Sequence, residues 1–343
     1  MTYDFRVDIL RSRAKIGELK TTSVRLNFDD SKSVMKSMSI DMHGTTMSQS
    51  TLTFDMFKDR LRPVLLVDGK ESPLGIYMIV AAPKTVTDTG TYYTLEAYDE
   101  TMLLKQASFE DRTFYSAGTK FLTVVENILT SVGLTDVYAE GSTSSAPEDF
   151  EIAPGENYLD CINNILDAIN FQHVYADANG TINIRKIADR TSPKFVYRSS
   201  EHYSLNPKLT EETDIYDLPN VIVGVYSSPD EDTPTVYKKV NDDPNSIIST
   251  VNRGYKVVKT INLRNSSTET DLEGYIDRVA FDAMQATESV TFETVAEGGH
   301  EPNTPVQIDT EHVRGLFIEK GWDMSISTGS FQMIHRAERK VFV

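Results

Sequence analysis

The sequence predicts a mainly β protein of the α+β class. Short segments in which polar and apolar residues alternate, separated by turn signals, fill both ends of the 343-residue chain. Apolar residues at helical spacing are grouped in the middle of the chain and occur once more near residue 280. Strands that follow one another in runs, instead of alternating with helices, favour a barrel or a sandwich over a doubly wound sheet.

Strand signals dominate the first hundred residues. Residues 23–28 and 37–42 alternate strictly, and a period of two is typical of a strand with one buried face. Residues 64–67 lead into Asp68-Gly69, a dipeptide that marks a tight hairpin turn. Further strands are predicted over residues 5–10, 75–80 and 92–98.

The pattern then changes to helices. Apolar spacing predicts one helix over residues 118–133, ending at Gly133, because glycine commonly follows a helix C-terminus. A second helix is predicted over residues 155–170, and a hairpin over residues 173–184 with its turn at Asn179-Gly180. The middle of the chain is therefore predicted to be a small α/β unit.

The last part of the chain returns to strands around one helix. That helix is predicted over residues 271–287, with a buried face formed by Leu272, Ile276, Val279, Ala280 and Ala283. The predicted strands are residues 221–226, 290–295, 315–320 and 331–334. At roughly 100–200 residues per domain, a chain of this length suggests two or three domains.

The chain is acidic, with a formal net charge of −17. Proteins that bind DNA or RNA generally need a basic surface, so the composition argues against that class. Residues 121–184 contain no Lys or Arg but hold ten acidic residues, which are Glu126, Asp136, Glu140, Glu148, Asp149, Glu151, Glu156, Asp160, Asp167 and Asp177. They predict either a solvated acidic subdomain or an acidic wall. Such a wall would face a basic partner or line a passage that must not bind polyanions.

No motif for catalysis or cofactor binding is found in the sequence. The single cysteine, Cys161, lies in an apolar helical stripe and is interpreted as a core residue, not a nucleophile. His300, His312 and His335 share the C-terminal β region and could meet around a metal, but their spacing matches no zinc pattern. We therefore expect no catalytic residue, no cofactor site and no metal site.

The remaining candidates have simpler interpretations. The acidic pairs Asp29-Asp30, Glu211-Glu212 and Asp242-Asp243 match no calcium loop and are predicted to lie in solvated loops. Trp322 and the tyrosines could form a sugar platform, although tyrosines in strands more often pack on a sheet. No apolar run approaches the roughly 20 residues that span a bilayer, and no signal-peptide core is expected.

The order of several segments resembles phage tail hub proteins. The strand-to-linker segment of these proteins contains a Tyr-Asp pair that closes the first barrel, and Tyr98-Asp99 matches it. The resemblance is strongest to hubs of long-tailed phages (siphophages) and prophages of Gram-positive hosts. The matching segments are residues 95–104, 118–121, 132–134, 155–160, 173–180, 214–220, 241–246 and 251–254.

The resemblance implies two barrel-like β domains with an inserted α/β unit. The first barrel would be residues 1–100, and the acidic α/β domain residues 101–200. The second barrel would be residues 201–343, with a helix-strand insertion at about 256–295. Three subunits would form a homotrimeric ring of six similar barrels, adapting a six-fold tail tube to a three-fold tail tip, as in contractile-tail baseplate hubs.

The resemblance also implies partners and a location. A tail-tube or distal-tail ring would lie above the hub, and a tip, spike or receptor-binding protein below. The tape-measure protein would end in its lumen, which DNA crosses during ejection without specific binding. The virion structural protein would sit at the tail tip after assembly in the bacterial host cytoplasm. It would not be an enzyme. The alternatives are a tail-tip adhesin that binds the host surface and, less favoured, a tail-associated cell-wall endopeptidase.

Overall fold

The computed structural model describes residues 1–43, 55–88, 90–187, 191–198, 210–226, 235–263 and 269–341. The chain is mainly β with a minority of helix, which confirms the predicted α+β class. It divides into two compact units, of which unit 1 comprises Met1–Lys208 with Phe292–His335 and unit 2 comprises Leu209–Thr291 with Arg336–Val343. The predicted domains at 1–100, 101–200 and 201–343 stay a prediction.

The structure contains more short strands than the periodicity predicts. The N-terminal strands are β1 (Tyr3–Arg11), β2 (Ala14–Leu19), β3 (Ser23–Asp29), β4 (Lys36–His43), β5 (Asp59–Val67), β6 (Lys70–Pro73), β7 (Tyr77–Ala81), β8 (Lys84–Thr87) and β9 (Gly90–Asp99). The middle elements are α1 (Met102–Gln106), β10 (Thr113–Tyr115), α2 (Phe121–Ser131), β11 (Val137–Ala139), β12 (Phe150–Ile152), α3 (Tyr158–Ala168), β13 (Tyr175–Ala176) and β14 (Ile182–Ile184). The remaining elements are β15 (Phe195–Arg198), β16 (Thr210–Asp214), β17 (Val221–Tyr226), β18 (Thr235–Val240), α4 (Thr250–Arg253), β19 (Val258–Leu263), α5 (Glu269–Ala283), β20 (Ala286–Val295), β21 (Pro305–Asp309), β22 (Arg314–Ser327) and β23 (Ser330–Val341).

Strand β22 joins the two ends of the chain within unit 1. Its first half pairs with β21, where Phe317 lies opposite Val306, and its second half pairs with β3, where Met324 lies opposite Leu26. The sheet continues from β3 in the order β4, β9, β7, β5, β1, β2. Apolar residues from both ends of the chain therefore share one buried core, which includes Leu26, Ile40, Leu61, Trp322, Met324 and Met333.

The middle of the chain forms a second core in unit 1, as the helical spacing predicts. Helices α2 and α3 bury apolar faces against β14, which pairs parallel to β11 and antiparallel to β13. The Asn157 side chain accepts a hydrogen bond from the Asp160 backbone N–H at 2.9 Å, which caps the first turn of α3. Gly133 follows α2 with a φ of +81°, a conformation that glycine adopts without strain.

Unit 2 contains a smaller sheet. Its central strand, β17, pairs antiparallel with β18 and parallel with β19, and α5 contributes Ile276 and Ala280 to a core with Ile222. The helix predicted over residues 271–287 is confirmed, but it ends at Ala283 because β20 begins at Ala286 and pairs with β16. The side chain of Leu272 lies outside the described residues.

Among the described residues, no helix combines the length and apolar character that a membrane span requires.

Candidate functional site

Cys161 is a core residue, as its position in the apolar stripe predicts. It lies in α3, and only 3% of its surface is exposed. Burial raises the pKa of its thiol to about 12. The nucleophilic thiolate is therefore scarce at neutral pH.

Two of the acidic pairs and Trp322 make contacts with other residues of the protein. Asp30 binds the Lys320 ammonium at 2.8 Å, and Asp243 accepts a hydrogen bond from the Asn245 backbone N–H at 2.8 Å. Glu211-Glu212 lies in strand β16, so the prediction of a loop there is wrong. Trp322 is buried in β22 with its ring 6.0 Å from that of Phe28, and it cannot serve as a surface sugar platform.

Two of the three C-terminal histidines come together with a glutamate in unit 1. The Nδ1 atoms of His300 and His335 lie 2.7 Å from the two carboxylate oxygens of Glu319, each on a different oxygen. The three side chains are at most 1% exposed. His312 lies exposed in the turn between β21 and β22 and does not join them, and His202 falls outside the described residues. We call His300, Glu319 and His335 the His-Glu-His cluster.

Hydroxyl groups contact the outer nitrogens of the His-Glu-His cluster. His300 Nε2 lies 3.2 Å from the Tyr197 hydroxyl, and His335 Nε2 lies 2.8 Å from the Thr294 hydroxyl. Thus both nitrogens of each imidazole have a hydrogen-bond partner. The two hydroxyl partners lie in β15 and β20, whereas Glu319 and His335 lie in β22 and β23.

Aromatic rings hold the two imidazoles in place. Phe195 stacks on His300 with ring centroids 4.0 Å apart, and Phe292 stacks on His335 at 4.6 Å. The ring planes deviate from parallel by only 7° and 9°. Stacking fixes the plane of each imidazole and so aims its Nδ1 atom at Glu319.

Burial decides the protonation of these histidines. It lowers the pKa of His300 to about 3, and it lowers the pKa of His335 although the hydrogen bond to Glu319 acts in the opposite direction. Both imidazoles are therefore neutral at pH 7. Each Nδ1 carries the proton that it donates to the carboxylate, and each Nε2 accepts from a hydroxyl.

Glu319 is the member of the cluster that sequence reasoning missed. No alternation in the sequence reveals it, because Leu316, Phe317 and Ile318 are all apolar. In the structure β22 alternates in burial and places Glu319 on the same inward face as Phe317 and Gly321. A glutamate at an inward strand position needs a polar partner, since an unpaired buried carboxylate is costly. The pairing of β22 with β23 supplies His335 as that partner.

The acidic α/β part of unit 1 offers a second candidate surface. Glu126, Asp136, Glu148, Asp149, Glu151 and Asp167 are exposed, while Glu140, Glu156, Asp160 and Asp177 are half-buried. Some of these carboxylates have local partners: Arg112 lies 3.1 Å from Glu151, and His173 lies 3.2 Å from Asp167. The surface nevertheless stays acidic, because residues 121–184 contain no Lys or Arg.

Comparison with known proteins identifies the fold. No family model and no curated protein matches the sequence. Among solved structures, a tail protein from Neisseria meningitidis superposes with a TM-score of 0.70 at 15% identity, covering 98% of this chain and 96% of its own. The chain has the fold of phage tail proteins.

Two further structures share this phage tail fold. A 43 kDa tail protein of prophage MuSo2 from Shewanella oneidensis has a TM-score of 0.67 at 8% identity, over 97% of this chain and 98% of its own. An E. coli component of the type VI secretion system, itself similar to the T4 bacteriophage tail proteins gp27 and gp5, has a TM-score of 0.51 at 10% identity. It is matched over 100% of this chain and 77% of its own. The similarity therefore extends across the whole chain.

Proposed function

We propose that this chain is a structural hub protein of a phage-type tail. The observation that carries the proposal is the end-to-end match to the Neisseria tail protein, which covers 98% of one chain and 96% of the other. A match over both β regions and the α/β part is more informative than a shared single domain, because such parts recur in unrelated proteins.

The chemistry of the described residues supports a structural role over an enzymatic one. Cys161 is buried and its thiol pKa is raised, so it is unsuited to nucleophilic attack. The His-Glu-His cluster has side chains that are at most 1% exposed, so no polymeric cell-wall substrate reaches it. A hub needs only extended surfaces that bind its neighbours.

In this proposal, three copies form a ring at the tail tip. A subunit with two related β regions presents two similar surfaces, so three copies can meet a six-fold tube on one side and a three-fold tip on the other. The tube or distal-tail ring, the end of the tape-measure protein, and a tip, spike or receptor-binding protein are the partners of such a ring.

The acidic surface fits a passage for DNA. Like charges repel, so exposed carboxylates such as Glu148, Asp149 and Asp167 would let DNA slide without binding. We assign the stretch from Glu140 to Asp177 to the lumen or the lower opening of the ring.

Native mass spectrometry of the purified chain, alone and mixed with its tube or distal-tail protein, tests the proposal. A mass of three times 38.5 kDa in either sample supports the hub. A stable dimer in both samples would contradict it.

The same preparation separates the alternatives. Release of peptidoglycan fragments by the chain would favour the endopeptidase, and binding of the isolated chain to host cells would favour the adhesin. Cryo-electron microscopy of a trimer would locate the carboxylates, and finding them on the outer wall would overturn the lumen assignment.

A further inference from the structure

The His-Glu-His cluster has the composition of a metal site. Its three residues each offer one ligand atom, and these atoms lie within 4.8 Å of one another. We propose that the cluster binds one zinc ion between the Nδ1 atoms of His300 and His335 and the carboxylate of Glu319. This proposal is independent of the tail function.

The chemical types of the ligands favour zinc over calcium and magnesium. Zinc binds imidazole nitrogen at about 2.0–2.1 Å and carboxylate oxygen at about 2.0–2.2 Å, usually with four ligands. Calcium and magnesium prefer all-oxygen sites, so two imidazoles disfavour them. A bidentate Glu319 carboxylate would supply two of the four ligands, which distorts the site from a regular tetrahedron. Both carboxylate oxygens already face a histidine nitrogen.

A change of imidazole tautomer, with the proton moving from Nδ1 to Nε2, and a small movement separate the hydrogen-bonded cluster from a metal site. Two ligands in a tetrahedral zinc site lie about 3.3 Å apart, whereas each Nδ1 now lies 2.7 Å from its carboxylate oxygen. Each nitrogen–oxygen pair would therefore open by about 0.6 Å. The imidazoles keep their planes, because Phe195 and Phe292 stack on them.

The hydroxyl groups next to the two Nε2 atoms suit metal-bound histidines. Such a histidine donates its other ring N–H to an acceptor, which fixes its orientation. The Thr294 hydroxyl can accept from His335 Nε2 because its own proton has a second acceptor, the Val295 carbonyl oxygen at 3.0 Å. The Tyr197 hydroxyl can accept from His300 Nε2 in the same way, since it is also hydrogen-bonded to Glu297.

The position of the carboxylate also suits a cation. Glu319 is fully buried, and each of its two oxygens faces an imidazole nitrogen. A cation bound between these atoms would be paired with a negative charge, as a buried ion requires.

The site would be structural. It is closed to solvent and offers no position for a substrate, which is typical of structural zinc sites. The ion would connect residues of β22, β23 and the segment after β20, and the three ligand residues all belong to unit 1. Zinc binding should therefore stabilise the C-terminal strands on which the β3–β22 pairing depends.

The test uses the full chain purified without a metal-affinity column. Mass spectrometry of elements should find about one zinc per chain. Removing zinc with a chelator should lower the melting temperature, and adding zinc back should restore it. Cobalt substituted for zinc should give the visible absorption of a site of low coordination number, stronger than that of cobalt in water. A folded chain without bound metal, whose melting temperature responds to neither chelator nor zinc, would overturn the proposal and leave a hydrogen-bonded polar core.

Matched variants locate the site. Glu319→Gln should lose the bound zinc, whereas His312→Gln, which changes an exposed histidine outside the cluster, should retain it. Thr294→Val removes only the hydroxyl beside His335 and should weaken zinc affinity by about 10- to 100-fold. Zinc retained in Glu319→Gln would refute the assignment. If that variant does not fold, X-ray absorption of the wild-type chain decides, because multiple scattering from imidazole rings shows whether histidines bind the zinc. A spectrum without that imidazole signal would refute the assignment.

Discussion

The guanidinium of Arg11 binds both carboxylate oxygens of Asp59, at 2.7 and 2.9 Å. The two residues face each other across β1 and β5, and the Asp59 side chain is fully buried while that of Arg11 is 43% exposed. The hydrogen bond from Arg11 lowers the pKa of Asp59, and burial only partly opposes this. The pair therefore couples the stability of the main sheet to pH.

Asp59→Asn should lower the free energy of unfolding by about 1–2 kcal/mol at pH 7. A hydrogen bond to a charged group contributes more than this, but exposure of Arg11 screens it. Because the folded pKa of Asp59 is lowered, its contribution is present above about pH 4 and is lost as pH falls through the folded value. The free energies of unfolding of the wild type and the variant, measured with urea between pH 3 and 7, should therefore converge at acidic pH. The control Glu18→Gln changes an exposed carboxylate. If this control loses as much stability as Asp59→Asn, the role of the buried Arg11–Asp59 pair is refuted.

Gly180→Ala should destabilise the hairpin of β13 and β14 against the main sheet. The residue has a φ of +82°, and a Cβ there would lie 2.8 Å from the Ile76 side chain and closer still to the Arg13 guanidinium. Gly155 has a similar φ of +86° but has no atom within 4 Å of such a Cβ. Gly155→Ala should therefore lower the free energy of unfolding by about 1 kcal/mol, through backbone strain alone. Gly180→Ala should lower it by about 1–3 kcal/mol more. Equal losses of stability in the two variants, measured by thermal unfolding, would argue against the contact of a Cβ at position 180 with Ile76 and Arg13.

The Cys161 thiol should be unreactive in the native chain. Burial and the raised pKa both suppress thiolate attack on a disulfide reagent such as Ellman's reagent. We expect reaction to require unfolding, with about one thiol per chain released in denaturant. Rapid reaction in native buffer would show that α3 opens easily.

Charge reversal on the acidic surface tests its proposed contact with DNA. Particles assembled with Glu148→Lys and Asp167→Lys should release DNA more slowly, because the new ammonium groups attract phosphates. The control pair Asp88→Lys and Glu311→Lys makes the same change in net charge at exposed positions outside residues 121–184. Equal release rates in both sets of particles would place the acidic surface away from the DNA path.

Local periodicity was sufficient to predict much of the fold. Helices α2 and α3 and the hairpin of β13 and β14 were predicted because neighbouring residues along the chain determine them. Strand β2 was missed because Ala14–Leu19 contains a glycine and alternates poorly. The pairing of β3 with β22 could not be predicted, since no local pattern encodes a contact between residues so far apart in sequence.

The members of the His-Glu-His cluster could likewise be predicted from the sequence only in part. Sequence reasoning grouped His300 and His335 by their shared region but included His312, which lies in an exposed turn. It missed Glu319 because a glutamate in a strand normally faces solvent. Only the three-dimensional pairing of β22 with β23 shows that this residue faces inward next to a histidine.

The late position of β22 in the chain has a consequence for biosynthesis. Strand β3 leaves the ribosome early, but the partner for its free edge is made nearly 300 residues later. At about 5–20 residues per second, that edge waits about 15–60 s for its partner. During that interval the nascent chain presents an unpaired strand beside an incomplete core, a state in which neighbouring copies can pair wrongly. Production of this protein therefore depends on keeping nascent chains apart until synthesis has passed β22.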